Sequence, residues 1–160
     1  MMSYHDFALK ALTSKYLALA FRLYIGGLFI YASIYKINYT AEFAESIAAY
    51  QLVPYWSVNA LALVMSWTEL ICGVLLVAGI RTKSAAFIIC AMLAVFTAAI
   101  SLALIREIPM GCGCFSSTED PMSWMTIVRD LVWMAMAAHV YFFDSALQLE
   151  RKFLVSMTEV

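Results

Sequence analysis

Long apolar runs separated by short polar stretches dominate this chain. Four windows, about Tyr16–Tyr35, Val58–Ile80, Ser84–Ile105 and Met122–Phe143, are apolar over close to the length a helix needs to cross a bilayer. That length is about 20 residues, or about 30 Å of helix. Between the first two windows, Thr40–Gln51 places Phe43, Ile47 and Tyr50 at i, i+4 and i+7, with Glu42, Glu45 and Ser46 elsewhere. This pattern predicts a short amphipathic helix lying in the outer interface. Pro54 ends it, and Tyr55-Trp56 form an interfacial aromatic anchor. Gly79-Ile80-Arg81-Thr82-Lys83-Ser84 is a tight turn joining the second and third windows into an antiparallel hairpin. Asp120-Pro121 reads as the start of the fourth helix, with Asp120 as N-cap and Pro121 at the first helical position. Residues Met1–Lys15 are mixed in character and predict a short helix on the cytoplasmic surface.

Composition changes the solvent this pattern implies. Hydrophobic residues make up 64% of the 160 and charged residues 13%, against about a quarter charged in soluble domains. The predicted fold is therefore all-α, an integral membrane four-helix bundle forming a single transmembrane domain over 1–160. Its surroundings are the lipid bilayer. A formal net charge of −1 argues against nucleic acid as a partner. The first window is too long for a signal peptide, carries Arg22 and is followed by no small-x-small cleavage site, so it reads as a span.

Lysine and arginine set the orientation. Lys10, Lys15, Arg81, Lys83, Arg151 and Lys152 fall on one side, and Lys36 and Arg106 on the other. The positive-inside rule then puts both termini in the cytoplasm. The loop over 106–121 faces outward, into the periplasm if the protein sits in a bacterial inner membrane.

Charges inside the spans carry chemistry or need partners. Each costs about 2.5–3.5 kcal/mol at mid-bilayer on insertion scales. Arg22 lies about two turns into the first window, and Glu69, near mid-bilayer in the second, is its expected partner. Glu69 also reads as a proton relay or a contact for a quinone headgroup. Lys36, at the outer end, either snorkels to the headgroups or serves the site. Arg129 and Asp130 lie about two turns into the fourth span, and adjacent helical residues point about 100° apart, so they are not expected to face each other. Arg129 either anchors the helix or lies under the outward loop, where a cation favours a thiolate. Cys72 and Cys90 are about equally deep and read as apolar fillers or as a second redox pair. Ala94 and Ala98 form a small-xxx-small pattern suited to close helix packing.

The outward loop holds Pro109-Met110-Gly111-Cys112-Gly113-Cys114-Phe115. A Cys-x-Cys pair can close into a small ring, for which Gly113 supplies unusual dihedrals. An exposed, strained disulfide of this kind is a labile one suited to exchange, and it would face the oxidising compartment. Cys112 and Cys114 are thus the candidate catalytic residues, with Arg22, Lys36, Glu69, Arg129 and Asp130 as supporting charges. Rival readings are a static staple, a link to another subunit, or a Cu(I) site at Met110, Cys112 and Cys114, whose ligands are soft. Zinc would need four Cys/His ligands, and no histidine lies near.

In order and spacing, these marks resemble the DoxX-like superfamily and, within it, the MauE type associated with methylamine utilisation. They run from Arg22-x-x-x-Gly26-Gly27 and Lys36 through Tyr50–Pro54 and Glu69-Leu70-x-x-Gly73 to Gly79. Cys112-Gly113-Cys114-Phe115 and Arg129-Asp130 complete the set, which covers about 17–143. The resemblance implies a four-helix membrane protein tied to redox processes. For the MauE type it implies disulfide handling during maturation of a periplasmic enzyme, and for other DoxX-like proteins quinone-coupled sulfur oxidation. Thiol–disulfide exchange with a periplasmic thioredoxin-like or cysteine-rich partner, coupled to membrane quinone, is the expected function. The alternative is a non-catalytic membrane anchor of a larger redox or photosynthetic complex.

Overall fold

The structure is a computed structural model that describes residues 14–106 and 124–144. It is helical, with no strand among the described residues. Helix α1 runs over Lys15–Asn38, α2 over Thr40–Ala49, α3 over Val58–Ala78, α4 over Thr82–Ile105 and α5 over Trp124–Phe143, with a single 3-10 turn at Tyr55–Ser57 before α3. Together with that turn, α1, α3, α4 and α5 give four helical stretches long and apolar enough to cross a membrane. The four predicted windows each fall on one of them.

The four long helices run up and down in turn. Helix α1 packs on α3 and α5, α3 on α4, and α4 on α5, while the short α2 lies across α3. The start of α1, the α3–α4 turn and the end of α5 thus share one end of the bundle (the turn end). The opposite end carries α2.

Small residues bring α1 and α3 together. Gly26 and Ser33 on α1, and Ser66 and Gly73 on α3, are buried and spaced seven apart on each helix. A Cβ added to Gly73 would lie 2.9 Å from the Gly26 carbonyl oxygen, so backbone meets backbone there. Ser33 and Ser66 spend their hydroxyls on their own helices, donating to the Ile30 and Ala62 carbonyls at 2.8 Å. The predicted small-residue contact at Ala94 and Ala98 is not made among the described residues. Both are exposed, because the buried face of α4 runs through Ala86, Ile89, Leu93 and Ile100 instead.

Gly79 adopts φ 74° at the end of α3. Its N–H and that of Ile80 donate to the carbonyls of Leu76 and Leu75 at 3.1 and 3.0 Å, closing a Schellman turn. This fixes the tight α3–α4 hairpin foreseen from the sequence. Below the α2 end, Ile25, Leu76, Ile89, Ala137 and Val140 form the fully buried apolar core. Cys72 belongs to this core and Cys90, partly buried, packs against it; both are free thiols, and Cys90 Sγ lies 3.6 Å from the Met134 carbonyl. No disulfide joins them.

Predicted features at Met1–Thr13, the Cys-Gly-Cys loop and the Asp120-Pro121 helix start lie outside the described residues.

Candidate functional site

The buried faces of α1 and α3 each carry a charge toward the α2 end. On α1 the inward stripe runs Ala18, Arg22, Ile25, Phe29, Ala32, Lys36. On α3 it runs Ala62, Ser66, Glu69, Gly73, Leu76. Lys36 and Glu69 are 4% and 2% exposed. The Lys36 ammonium donates to both Glu69 carboxylate oxygens, at 2.6 Å to Oε1 and 2.9 Å to Oε2.

This pairing replaces the predicted Arg22–Glu69 pair, and the direction of side chains explains why. Taking the Gly26–Gly73 contact as a level, Glu69 lies about 6 Å and Lys36 about 15 Å toward the α2 end, while Arg22 lies about 6 Å the other way. Helical side chains lean toward the N-terminus of their own helix. Since α1 and α3 are antiparallel, Lys36 leans down toward Glu69 and Glu69 leans up toward Lys36. Arg22 leans away from Glu69, toward the turn end. There it meets Asp144, just past α5, with Nη1 3.2 Å from Oδ2. Both Arg22 and Asp144 are buried, at 3% and 4% exposed. Lys36 therefore does not snorkel out of the bundle; its charge is held inside.

Aromatic rings close over the Lys36 ammonium. The Phe43 ring centroid of α2 lies 4.7 Å from Nζ, and that of Phe96 on α4 lies 4.9 Å away. Each such contact is worth about 0.5–2 kcal/mol, more as water is excluded. The amphipathic pattern of α2 explains its position: Phe43 and Ala44 are buried against Val58 and Ala62, with Ile47 packed alongside. The polar Glu42 turns outward to accept from the Tyr35 hydroxyl at 3.3 Å.

Helix α5 contributes the remaining charges. Asp130 is 2% exposed and accepts from Arg129 at 3.4 Å, through both Nε and Nη2. The expectation that these neighbours do not face each other is corrected here. Their Cβ vectors diverge, but the long guanidinium folds back along the helix and stacks 4.7 Å from the Trp133 ring. Lys36, Glu69 and Asp130 then line one cavity of about 30 Å³ where α1, α3, α4 and α5 converge, walled by Phe29, Phe96 and Trp133 among others.

Four of the five predicted supporting charges, Lys36, Glu69, Arg129 and Asp130, are thus brought together at the α2 end, while Arg22 belongs to a separate pair at the turn end. Cys112, Cys114 and Met110 lie outside the described residues. His139 packs its ring 5.2 Å from Phe21 and 4.8 Å from Phe143. Sequence reasoning missed Asp144 and the Phe43–Phe96 cage. Asp144 was signalled by an acid at the end of the last span, level with Arg22. Phe43 was signalled by lying seven residues, two turns, beyond Lys36 once α2 folds back.

The cluster and its helices lie within a stretch shared with known proteins. The family model described as methylamine utilisation protein MauE matches residues 14–143. The methylamine utilization protein MauE of Paracoccus denitrificans is 31% identical over 120 residues, covering 74% of this chain and 64% of that protein. The chain thus spans somewhat less than two thirds of the length of that relative. No solved structure matches the chain. Four membrane-crossing helices, the α2 cap and the charged cluster between them all fall inside the matched stretch, and this multi-pass membrane protein belongs to the MauE family.

Proposed function

We propose that the protein acts in methylamine utilisation as a membrane thiol–disulfide exchanger, with Cys112 and Cys114 as the exchanging pair. The observation that carries this reading is the placement of the charged cluster. Ile105 ends α4, Trp124 is the first described residue of α5, and Cys112 and Cys114 lie in the sequence between them. Both helix ends lie at the α2 end of the bundle, the end that holds Lys36, Glu69, Arg129 and Asp130. Cys112 and Cys114 also lie within the matched residues 14–143. In a bacterial inner membrane, the lysine and arginine asymmetry supports this end facing the periplasm with both termini in the cytoplasm.

The exchange balances as follows. A thiolate of a periplasmic thioredoxin-like or cysteine-rich partner attacks the Cys112–Cys114 disulfide, forming a mixed disulfide and releasing one loop thiolate. The second partner thiolate resolves it, leaving the partner oxidised and Cys112 and Cys114 reduced. A membrane quinone takes the two electrons and two protons, becoming a quinol as the loop disulfide closes again. The cavity of about 30 Å³ beside Lys36, Glu69 and Asp130 has room for water. The quinone would meet the protein near Lys36, Glu69 or Arg129. The maturing periplasmic enzyme is the downstream beneficiary that the resemblance implies.

Cys112→Ser and Cys114→Ser variants, expressed with the partner proteins present and quenched in acid, test the exchange. One of them should trap a mixed disulfide visible as a band that collapses on reduction. Absence of a trapped species from both variants contradicts the reading.

A further inference from the structure

The cavity at the α2 end brings together two carboxylates and one ammonium, all deeply buried. A void holds water when it offers about 10–15 Å³ per molecule and two to four polar partners. This one has about 30 Å³, with Lys36, Glu69 and Asp130 in its lining. Asp130 is 2% exposed, and among the described residues both hydrogen bonds it accepts fall on Oδ1, at 3.4 Å. Among those residues, Oδ2 accepts none. The buried three, Lys36, Glu69 and Asp130, sum to one negative charge. Arg129, with its side chain 36% exposed, balances them only from the rim. One added proton brings the buried three to neutrality.

We propose that this cavity is a hydrated proton-binding site, in which one or two waters join Asp130 Oδ2 to the Lys36–Glu69 pair and a single proton from solvent is held there. The proton arrives from water and ends on a carboxylate oxygen, which becomes a carboxylic acid; no electron moves. Among the described residues, the charged groups facing the site are Lys36 from α1, Glu69 from α3, and Asp130 with Arg129 from α5. Helix α4 presents only Leu93 and Phe96. Helix α2 presents the Phe43 ring, its Glu42 being turned to Tyr35. Tyr50, just past α2, is buried against Ile100 and Ala103, with Ile127 of α5 alongside. Toward the turn end, Ile25, Leu76, Ile89 and Val140, each 0% exposed, seal the bundle. Among the described residues the turn-end side is thus closed by apolar packing, so the proton exchanges toward the α2 end. The site goes beyond the thiol chemistry and stands whether or not the cysteines exchange.

Infrared spectroscopy of the full-length protein in lipid nanodiscs tests it, following the protonated-carboxyl C=O stretch from alkaline to acidic pH in light and heavy water. One titrating carboxyl band that shifts in heavy water is expected. Asp130→Asn should abolish it or Glu69→Gln should move it, and Ala32→Leu, which fills the cavity while keeping every charge, should slow its isotope exchange at least tenfold. Cys112→Ser/Cys114→Ser should leave it unchanged, which separates this proposal from the fate of the exchange reading. Helicity by circular dichroism checks the fold of each variant. Should Asp130→Asn fail to fold, the wild-type titration and the Ala32→Leu exchange rate still decide the matter. No titrating carboxyl band in the wild type, a band unaltered in both carboxylate variants, or unaltered exchange in folded Ala32→Leu would overturn the proposal.

Discussion

Lys36 and Glu69 form a buried ion pair, 2.6 Å from Nζ to Oε1, although their backbone positions differ by about 9 Å along the bundle axis. The gap closes because each side chain leans toward the N-terminus of its own helix and the two helices run in opposite directions. This pair ties α1 to α3 at the end where α2 folds over them.

Removing one member leaves the other charge buried without its counterion, which costs about 3–5 kcal/mol. Lys36→Met and Glu69→Leu should each lower the unfolding free energy in detergent by about that amount. The double variant should recover most of the loss, since two apolar side chains leave no stranded charge. Additive losses in the double variant would show that the pair does not act as one unit.

The α1–α3 contact predicts a sharp contrast between two glycines of one helix-packing system. A Cβ on Gly73 meets the Gly26 carbonyl oxygen at 2.9 Å and the Ile30 nitrogen at 3.1 Å, both backbone atoms that cannot yield without parting the helices. Gly73→Ala should cost about 1–3 kcal/mol. Gly27 has nothing within 4 Å of an added Cβ. Gly27→Ala should stay within about 0.5 kcal/mol of the parent. Thermal unfolding in the same detergent compares the two directly.

The spans were legible because apolar run length is a property of the chain alone, and the predicted window Val58–Ile80 differs from α3, Val58–Ala78, only at its last turn. The Gly79 stop was legible for a similar reason, being set by local backbone geometry. Ion pairing was not. Which of Arg22 and Lys36 meets Glu69 depends on the lean of side chains across antiparallel helices and on the level fixed by Gly26 and Gly73. Counting residues from the membrane edges does not reveal either. The α2 cap was half legible: Phe43, Ile47 and Tyr50 marked an apolar face, but that face covers the Lys36 charge as well as apolar neighbours.

Cys72 and Cys90 should be chemically silent. Cys72 sits in the apolar core, only 2% exposed, and Cys90 is partly buried and packed against that core. A membrane-impermeant maleimide applied to intact vesicles should leave both unmodified, and mass spectrometry should find no disulfide between them under oxidising conditions. Modification of either in folded protein would contradict their placement.

The proposed orientation, with both termini in the cytoplasm, rests on the asymmetry of lysines and arginines along the sequence. A green fluorescent protein fused after Val160 should fluoresce in cells, and alkaline phosphatase at the same position should be inactive. The reverse pair of results would put the α2 end in the cytoplasm and remove the oxidising compartment from the Cys112–Cys114 loop.

The most direct measurement is the redox state of Cys112 and Cys114 in native membranes, read by differential alkylation and mass spectrometry with the quinone pool oxidised and then reduced. The pair should be mostly disulfide in the first condition and accumulate as dithiol in the second, with Cys72 and Cys90 reduced throughout. A pair that stays fully reduced, or fully oxidised, in both conditions would contradict thiol exchange coupled to the membrane.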